Sequence, residues 1–364
     1  FLLFTLPTKN TVSNRMEKSL WDIAVEQANS KKSDNNYSNK ESTVIVIGSK
    51  NCGKTSMILR FLDRDEPTKP TVALEYAFAK PKDIVRKDIG HIWELGGGTW
   101  LSKLMDIPIS PTTLLQTTLI LVLDLSLPSE LWFTMDTLLQ AAKSRLESAI
   151  NEAKAVDPQI ENKLRKKFWD RVGEDHPDKT IMNPFLLPLA IVGSKYDMFQ
   201  DFDSEKRKII CKTLRFLAHV HGANLQFYSS KQDQLVKRMK GMLSYYLFDT
   251  NASKTVQVDH NKPLFIFGGQ DTLQQIGTPP ISEGDIGKTH VKNPIDLWKV
   301  AFTSHFPQTS SNNPAMVDDP AKDPQFAEAA IDILRAQKDE ELERYRKLAE
   351  RRAREVQQLG YVTS

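Results

Sequence analysis

The stretch Ser42-Thr43-Val-Ile-Val-Ile47-Gly48-Ser49-Lys-Asn51-Cys52-Gly53-Lys54-Thr55-Ser56-Met-Ile58 joins an apolar run to a glycine-framed loop and then to a second apolar segment. Its spacing is GxxxxGK[ST], and the flanking residues predict a buried strand over Thr43 to Ile47 and a helix from Ser56 to Leu62. Gly48 and Gly53 let the backbone turn N–H groups inward around a phosphate, while the following helix aims its positive dipole end at the same point. Lys54 is placed to reach β- and γ-phosphates, and the Thr55 hydroxyl to take one position on Mg²⁺ when nucleotide is bound. The competing reading, an ordinary glycine-rich turn, leaves the strand before and the apolar helix after as coincidence. Gly48, Ser49, Asn51, Gly53, Lys54, Thr55 and Ser56 are therefore the expected phosphate-binding residues.

Working outward, 364 residues with 40% hydrophobic content suffice for one large core plus appendages, at about 100–200 residues per domain. The net charge of +3, from 49 basic and 46 acidic residues, provides no field for nucleic acid or an anionic membrane as main partner. Two cysteines, Cys52 and Cys211, make neither a disulfide framework nor a zinc spacing, which points to a reducing compartment. The opening run FLLFTLP is short and lacks a preceding basic region, and nothing later approaches ~18 continuous apolar residues. A soluble intracellular protein without membrane insertion is expected, with Met16 as its start and 1–15 as a non-native or disordered leader.

Leu20, Trp21, Ile23, Ala24 and Ala28 mark a short amphipathic helix within 16–41, followed by a polar linker. Over 42–250 strand-like and helix-like segments alternate, the signature of a mostly parallel sheet covered by helices on both faces. Further strands are predicted at Thr71–Phe78, Ile89–Leu95, Thr118–Leu123, Leu187–Val192 and Leu225–Tyr228. Helices are predicted at Leu131–Ile150, Val156–Val172, Ser204–Val220 and Asp233–Leu247. The region 251–308, with an extra strand at 263–267 and a helix at Pro294–Phe306, is expected to pack on this domain. A linker over 309–324 precedes a charged helix over 325–364. That helix has pairs Glu340/Arg344, Glu343/Lys347 and Glu350/Arg354 at stabilising spacing and a narrow apolar stripe that includes Leu334, Leu342, Tyr345 and Leu348. Such a stripe suits a partner helix better than a core or a membrane.

In a parallel sheet of this kind the ligand lies at the carboxyl ends of the strands. Gly193-Ser194-Lys195-Tyr-Asp197 resembles the [NT]KxD element of GTP-binding domains, whose Asp accepts hydrogen bonds from guanine and whose Lys stem lies along the base; Ser194 replaces the Asn. Tyr228-Ser-Ser230-Lys231 resembles the short loop that closes over the base. These elements, in this order, imply an α/β Ras-like P-loop NTPase fold with N- and C-terminal helical extensions. Hydrolysis needs a held metal, a positioned water and charge stabilisation. The small GTPases supply DxxG plus Gln for this. Counted from Gly96, Trp93 stands at the Asp and Gly97 at the Gln, and Glu94, one residue off register, is expected to face the other way. Asp124, ending an apolar strand, is expected to brace its loop rather than bind metal. His219 and His221, two apart on a helix, face different ways and lack an acidic partner at ligand spacing.

The chain from about Leu20 onward resembles the dynein light intermediate chain family, on its cytoplasmic dynein-2 branch. The resemblance rests on Gly48–Thr55, on Leu62-Asp-Arg-Asp-Glu-Pro-Thr-Lys-Pro-Thr71 with Ala73-Leu-Glu-Tyr76, on Trp93–Thr99, on Gly193–Asp201 and on Asn261-Lys-Pro-Leu-Phe265. It implies a non-catalytic subunit that stabilises the dynein-2 heavy-chain tail beside other intermediate and light chains. It further implies retrograde intraflagellar transport, cilium assembly and ciliary length control along microtubules. Implied locations are cytoplasm and cytoskeleton, cilium, axoneme and basal body or centrosome. No cofactor is required on this reading, and GDP or GTP with Mg²⁺ is the one the pocket would hold. The alternative is a GTP-binding regulatory switch with weak or partner-assisted hydrolysis.

Overall fold

The computed structural model describes residues 40–81, 88–251, 255–280, 293–309 and 328–360. The expected leader, the helix within 16–41 with nearly all of its linker, residues 310–324 of the linker expected over 309–324, and both ends of the helix expected over 325–364 lie outside those residues. Strand β1 (Glu41–Gly48) runs into helix α1 (Lys54–Phe61), followed by β2 (Leu74–Ala79), β3 (Ile89–Leu95) and β4 (Thr117–Asp124). Helices α2 (Pro128–Ala153) and α3 (Ile160–Val172) precede β5 (Leu189–Ser194). Then come α4 (Tyr196–Phe199), α5 (Ser204–His221), β6 (Asn224–Phe227), α6 (Asp233–Phe248), β7 (Phe265–Ile266), α7 (Leu273–Ile276), α8 (Pro294–His305) and α9 (Ala329–Gly360).

The sheet order is β2-β3-β1-β4-β5-β6-β7, parallel except at its two edges. Period-two alternation divides β1, buried from Ser42 to Gly48, between two cores. Ile45 and Ile47 face the side packed by α2, α5 and α8, and Val44 and Val46 face α1 and α6. Two differences from the sequence reading have local causes. The helix expected from Val156 begins only at Ile160, since Pro158 disfavours a helical residue before it. The strand expected from Thr71 begins at Leu74, because the loop from Thr71 to Ala73 closes on the end of β3, with the Gly96 N–H donating to the Ala73 carbonyl at 2.6 Å.

Beyond α6 the chain returns to the domain. β7 pairs antiparallel with β6, and Arg215 on α5 donates two hydrogen bonds of 2.7 Å to the Asp271 carboxylate. On α8, Trp298 stacks on Phe216 of α5, with centroids 4.5 Å apart and planes at 11°, while Phe302 meets Trp132 of α2 at 5.9 Å. The three ion pairs expected on α9 are present, Arg344–Glu340 at 2.6 Å, Lys347–Glu343 at 2.8 Å and Arg354–Glu350 at 3.8 Å. Ile331, Leu334, Leu342, Tyr345 and Leu348 are at least half exposed along it. No helix among the described residues is long and apolar enough to cross a membrane.

Candidate functional site

The loop between β1 and α1 is held open by close approach and by chirality. A Cβ on Gly48, at φ +156°, would collide with the Val122 carbonyl of β4, and Gly53 caps α1 in the left-handed region at φ +92°, where a side chain is strained. Lys54 is buried, and its ammonium folds back into the loop, donating to the Ser49 carbonyl at 2.8 Å and the Gly48 carbonyl at 3.2 Å. The Thr55 hydroxyl donates to Glu94 Oε1 at 2.7 Å and lies 3.3 Å from the Thr71 hydroxyl. Lys54, Thr55, Thr71 and Glu94 border a cavity of about 230 Å³ to which Asn51, Gly53 and Ser56 also contribute, whereas Gly48 and Ser49 do not line it.

Glu94 therefore corrects the sequence reading. Val46 pairs with Glu94 in the parallel ladder, which turns the carboxylate toward α1 together with Ile92, while Trp93 faces the other side and meets Tyr76 at 4.9 Å. Counted from Glu94, the acidic-x-x-Gly element ends at Gly97, and its acid sits on the Thr55 hydroxyl where a metal carboxylate belongs. Burial pushes the Glu94 carboxyl above the usual range, opposed by the Thr55 hydrogen bond and the Lys54 charge. The next position is Gly98, whose backbone passes against Ser49 and Lys50. It carries no side-chain amide to orient a water, so the hydrolytic arrangement is incomplete in this register too.

The base end is built but paired with itself. Lys195, in the left-handed region at φ +55°, places its ammonium 2.5 Å from Asp124 Oδ2. The other Asp124 oxygen accepts from the Ser126 N–H at 2.9 Å and the Ser126 hydroxyl at 2.6 Å, the loop bracing expected of it. Asp197 accepts from the Ser229 hydroxyl at 2.7 Å and pairs with the Lys231 ammonium at 2.7 Å. Burial alone would raise its carboxyl, but Lys231 and Ser229 hold it below the usual range. Ser229, rather than Ser230, makes the contact with Asp197. Ser194, in place of Asn, donates to the Leu123 carbonyl at 3.0 Å and so still braces the loop. The donors at the phosphate end suit a nucleotide with Mg²⁺, which Lys54, Thr55 and Glu94 would hold. A base would have to exchange with the ion pairs at Lys195 and Asp197.

A second polar cluster lies elsewhere and escaped the sequence reading. His219 does have an acidic neighbour, with Nε2 3.0 Å from Asp178 Oδ2, supplied by the segment after α3. No periodicity links positions so far apart. His221 turns away to the Asn183 carbonyl at 3.1 Å.

A family model described as dynein light intermediate chain matches residues 15–179. The cytoplasmic dynein 2 light intermediate chain 1 of Bos taurus is 47% identical over 93% of this chain and 98% of its own length. The corresponding proteins of Homo sapiens, at 47% over the same shares, and Danio rerio, at 46% over 90% of this chain and 94% of its own, are similar to it. The crystal structure of a dynein light intermediate chain's conserved domain matches with a TM-score of 0.54 at 15% identity, over 75% of this chain and 100% of that one. That likeness bears on fold alone, and it agrees with the Ras-like P-loop arrangement of β1, its loop and α1.

Proposed function

The chain belongs to the dynein light intermediate chain family, and from that membership we propose that it is a non-catalytic accessory subunit of the cytoplasmic dynein-2 complex. On this reading it stabilises the heavy-chain tail beside the other intermediate and light chains, and reaches intraflagellar transport trains indirectly. It thereby supports retrograde transport, cilium assembly and ciliary length control along microtubules, and it resides in cytoplasm, cytoskeleton, cilium, axoneme and basal body. The observation that carries the proposal is identity sustained over 93% of the chain with a dynein-2 light intermediate chain. The glycine at position 98, where an oriented water would need a side-chain amide, supports a domain that does not turn nucleotide over. The pocket needs no cofactor for this role, or holds GDP or GTP with Mg²⁺ statically through Gly48, Ser49, Asn51, Gly53, Lys54, Thr55 and Ser56. The heavy chain is proposed to bind the region 263–306 and α9.

One observation favours a second reading. Thr55, Thr71 and Glu94 converge as a magnesium-sensing set would, which suits a GTP-binding switch whose missing catalytic group comes from a partner. Lys54→Ala in ciliated cells lacking the chain separates the two. A scaffold restores heavy-chain co-purification and ciliary length nearly as the unaltered chain does. Heavy chain retained but retrograde trains stalled would instead establish the switch.

A further inference from the structure

Away from the phosphate loop, the segment that follows α3 crosses the C-terminal turn of α5. One donor atom each from His176, Asp178 and His219 lie within 4.8 Å of one another. The His219 side chain is 2% exposed; Nδ1 has no hydrogen-bond partner, and Nε2 has only the Asp178 carboxylate beside it at 3.0 Å. An unsatisfied buried polar group costs on the order of 1–3 kcal/mol, so this imidazole calls for a partner. We propose that His176, Asp178 and His219 form a zinc site that staples the segment between α3 and β5 to α5.

The geometry suits that ion. Ligand bonds of about 2.0–2.1 Å at tetrahedral angles separate two donor atoms by about 3.4 Å, and His219 Nε2 lies 3.0 Å from Asp178 Oδ2. The ring centroids of His176 and His219 are 5.2 Å apart. His176 is only partly buried, and its ring turns onto the ion by giving up the Asp178 amide that Nδ1 now accepts at 3.2 Å. A water completes four-coordination. Two imidazoles and one carboxylate select zinc over the oxygen-seeking Mg²⁺ and Ca²⁺.

The surroundings fit as well. Asp178 Oδ2 accepts from the Leu273 N–H at 2.9 Å, and His176 Nε2 lies 3.2 Å from the Asp271 carbonyl, outer contacts of the kind that orient ligands. The neighbouring cation, Arg215, spends both of its short bonds on Asp271 and so leaves the Asp178 charge for the metal.

The test uses the full chain, stripped with a chelator, supplied with equimolar zinc and passed through gel filtration before metal analysis by mass spectrometry. The unaltered chain and the surface control His260→Gln should each retain a single zinc. His176→Gln and Asp178→Asn should bind it at least ten-fold more weakly, the scale set by loss of even an outer-shell partner. Chelation should lower the melting temperature of the unaltered chain and leave that of His176→Gln unmoved. Equal zinc retention by the unaltered chain and both site variants would overturn the proposal, as would a melting temperature indifferent to chelator. Asp178→Asn keeps the side-chain shape, so it decides the matter even if His176→Gln folds poorly.

Discussion

Trp298→Ala tests whether the region beyond α6 is part of the domain or an attachment to it. Trp298 is 3% exposed, and its ring lies parallel to Phe216 at 4.5 Å within the same core as Leu214 and Leu217. Truncating a buried tryptophan to alanine costs about 3–5 kcal/mol, of which the ring pair accounts for roughly 0.5–1.5 kcal/mol. Phe302, fully buried against Trp132, keeps α8 in place, so the vacated volume cannot collapse completely and the cost should stay within that range. For a domain of this size each kcal/mol moves the melting temperature by about 2–4 °C, which gives a fall of roughly 6–20 °C. Calorimetry and far-ultraviolet circular dichroism should show one transition displaced as a whole. Trp298→Phe retains a ring for Phe216 and should lose less than half as much. A new low-temperature transition with the main one unmoved would refute the reasoning, since α8 would then be melting by itself.

Arg215→Met strands the buried Asp271 carboxylate and should cost about 3–5 kcal/mol in urea denaturation. Arg215→Met with Asp271→Asn should recover part of that, and a double variant no better than the single one would deny the coupling. Glu94→Gln keeps an acceptor for the Thr55 hydroxyl but removes the charge, so the gain in nucleotide affinity that Mg²⁺ confers should fall at least ten-fold while affinity without Mg²⁺ changes little. An unchanged Mg²⁺ dependence in titration calorimetry would remove Glu94 from the metal position. Burial pushes the thiols of Cys52 and Cys211 upward, so little reactive thiolate exists at neutral pH. An alkylating reagent should label neither in the native chain and both in denaturant, and quick native labelling of Cys52 would mean that the phosphate loop opens.

The parts of the fold that were legible in the sequence are those written in consecutive residues. The strand, loop and helix from Thr43 to Ile58 declare themselves by period and spacing, as do β4, β5, α5 and α6. The register of Glu94 was only half legible: of Gly96-Gly97-Gly98 only Gly97 has an acid three residues before it, but the sequence does not say which of the three glycines holds the loop position. Counting from Gly96 selects Trp93, whereas the ladder partner Val46 selects Glu94, and no single-chain pattern contains that pairing. The same holds at the base end. Lys195 and Asp197 were recognisable as types, but their present partners, Asp124 and Lys231, come from other strands and loops, as do His176 and Asp178 beside His219.

The two ends of the pocket then differ in what it costs to keep them. At the base end every charge has an opposite charge beside it, so those residues are stable with or without a ligand. At the phosphate end the buried ammonium of Lys54 is bonded to two backbone carbonyls of its own loop rather than to a carboxylate. Burying a cation on neutral acceptors is unfavourable by several kcal/mol relative to an apolar side chain of similar size. A phosphate oxygen in the loop would give that ammonium the charged partner its resting contacts lack, with Thr55 and Glu94 beside it to take the accompanying metal ion. On the proposed static reading, phosphate would offset the cost of burying Lys54, whereas Gly98 has no side chain to orient a water and Ser194 is the one departure from the base-binding element.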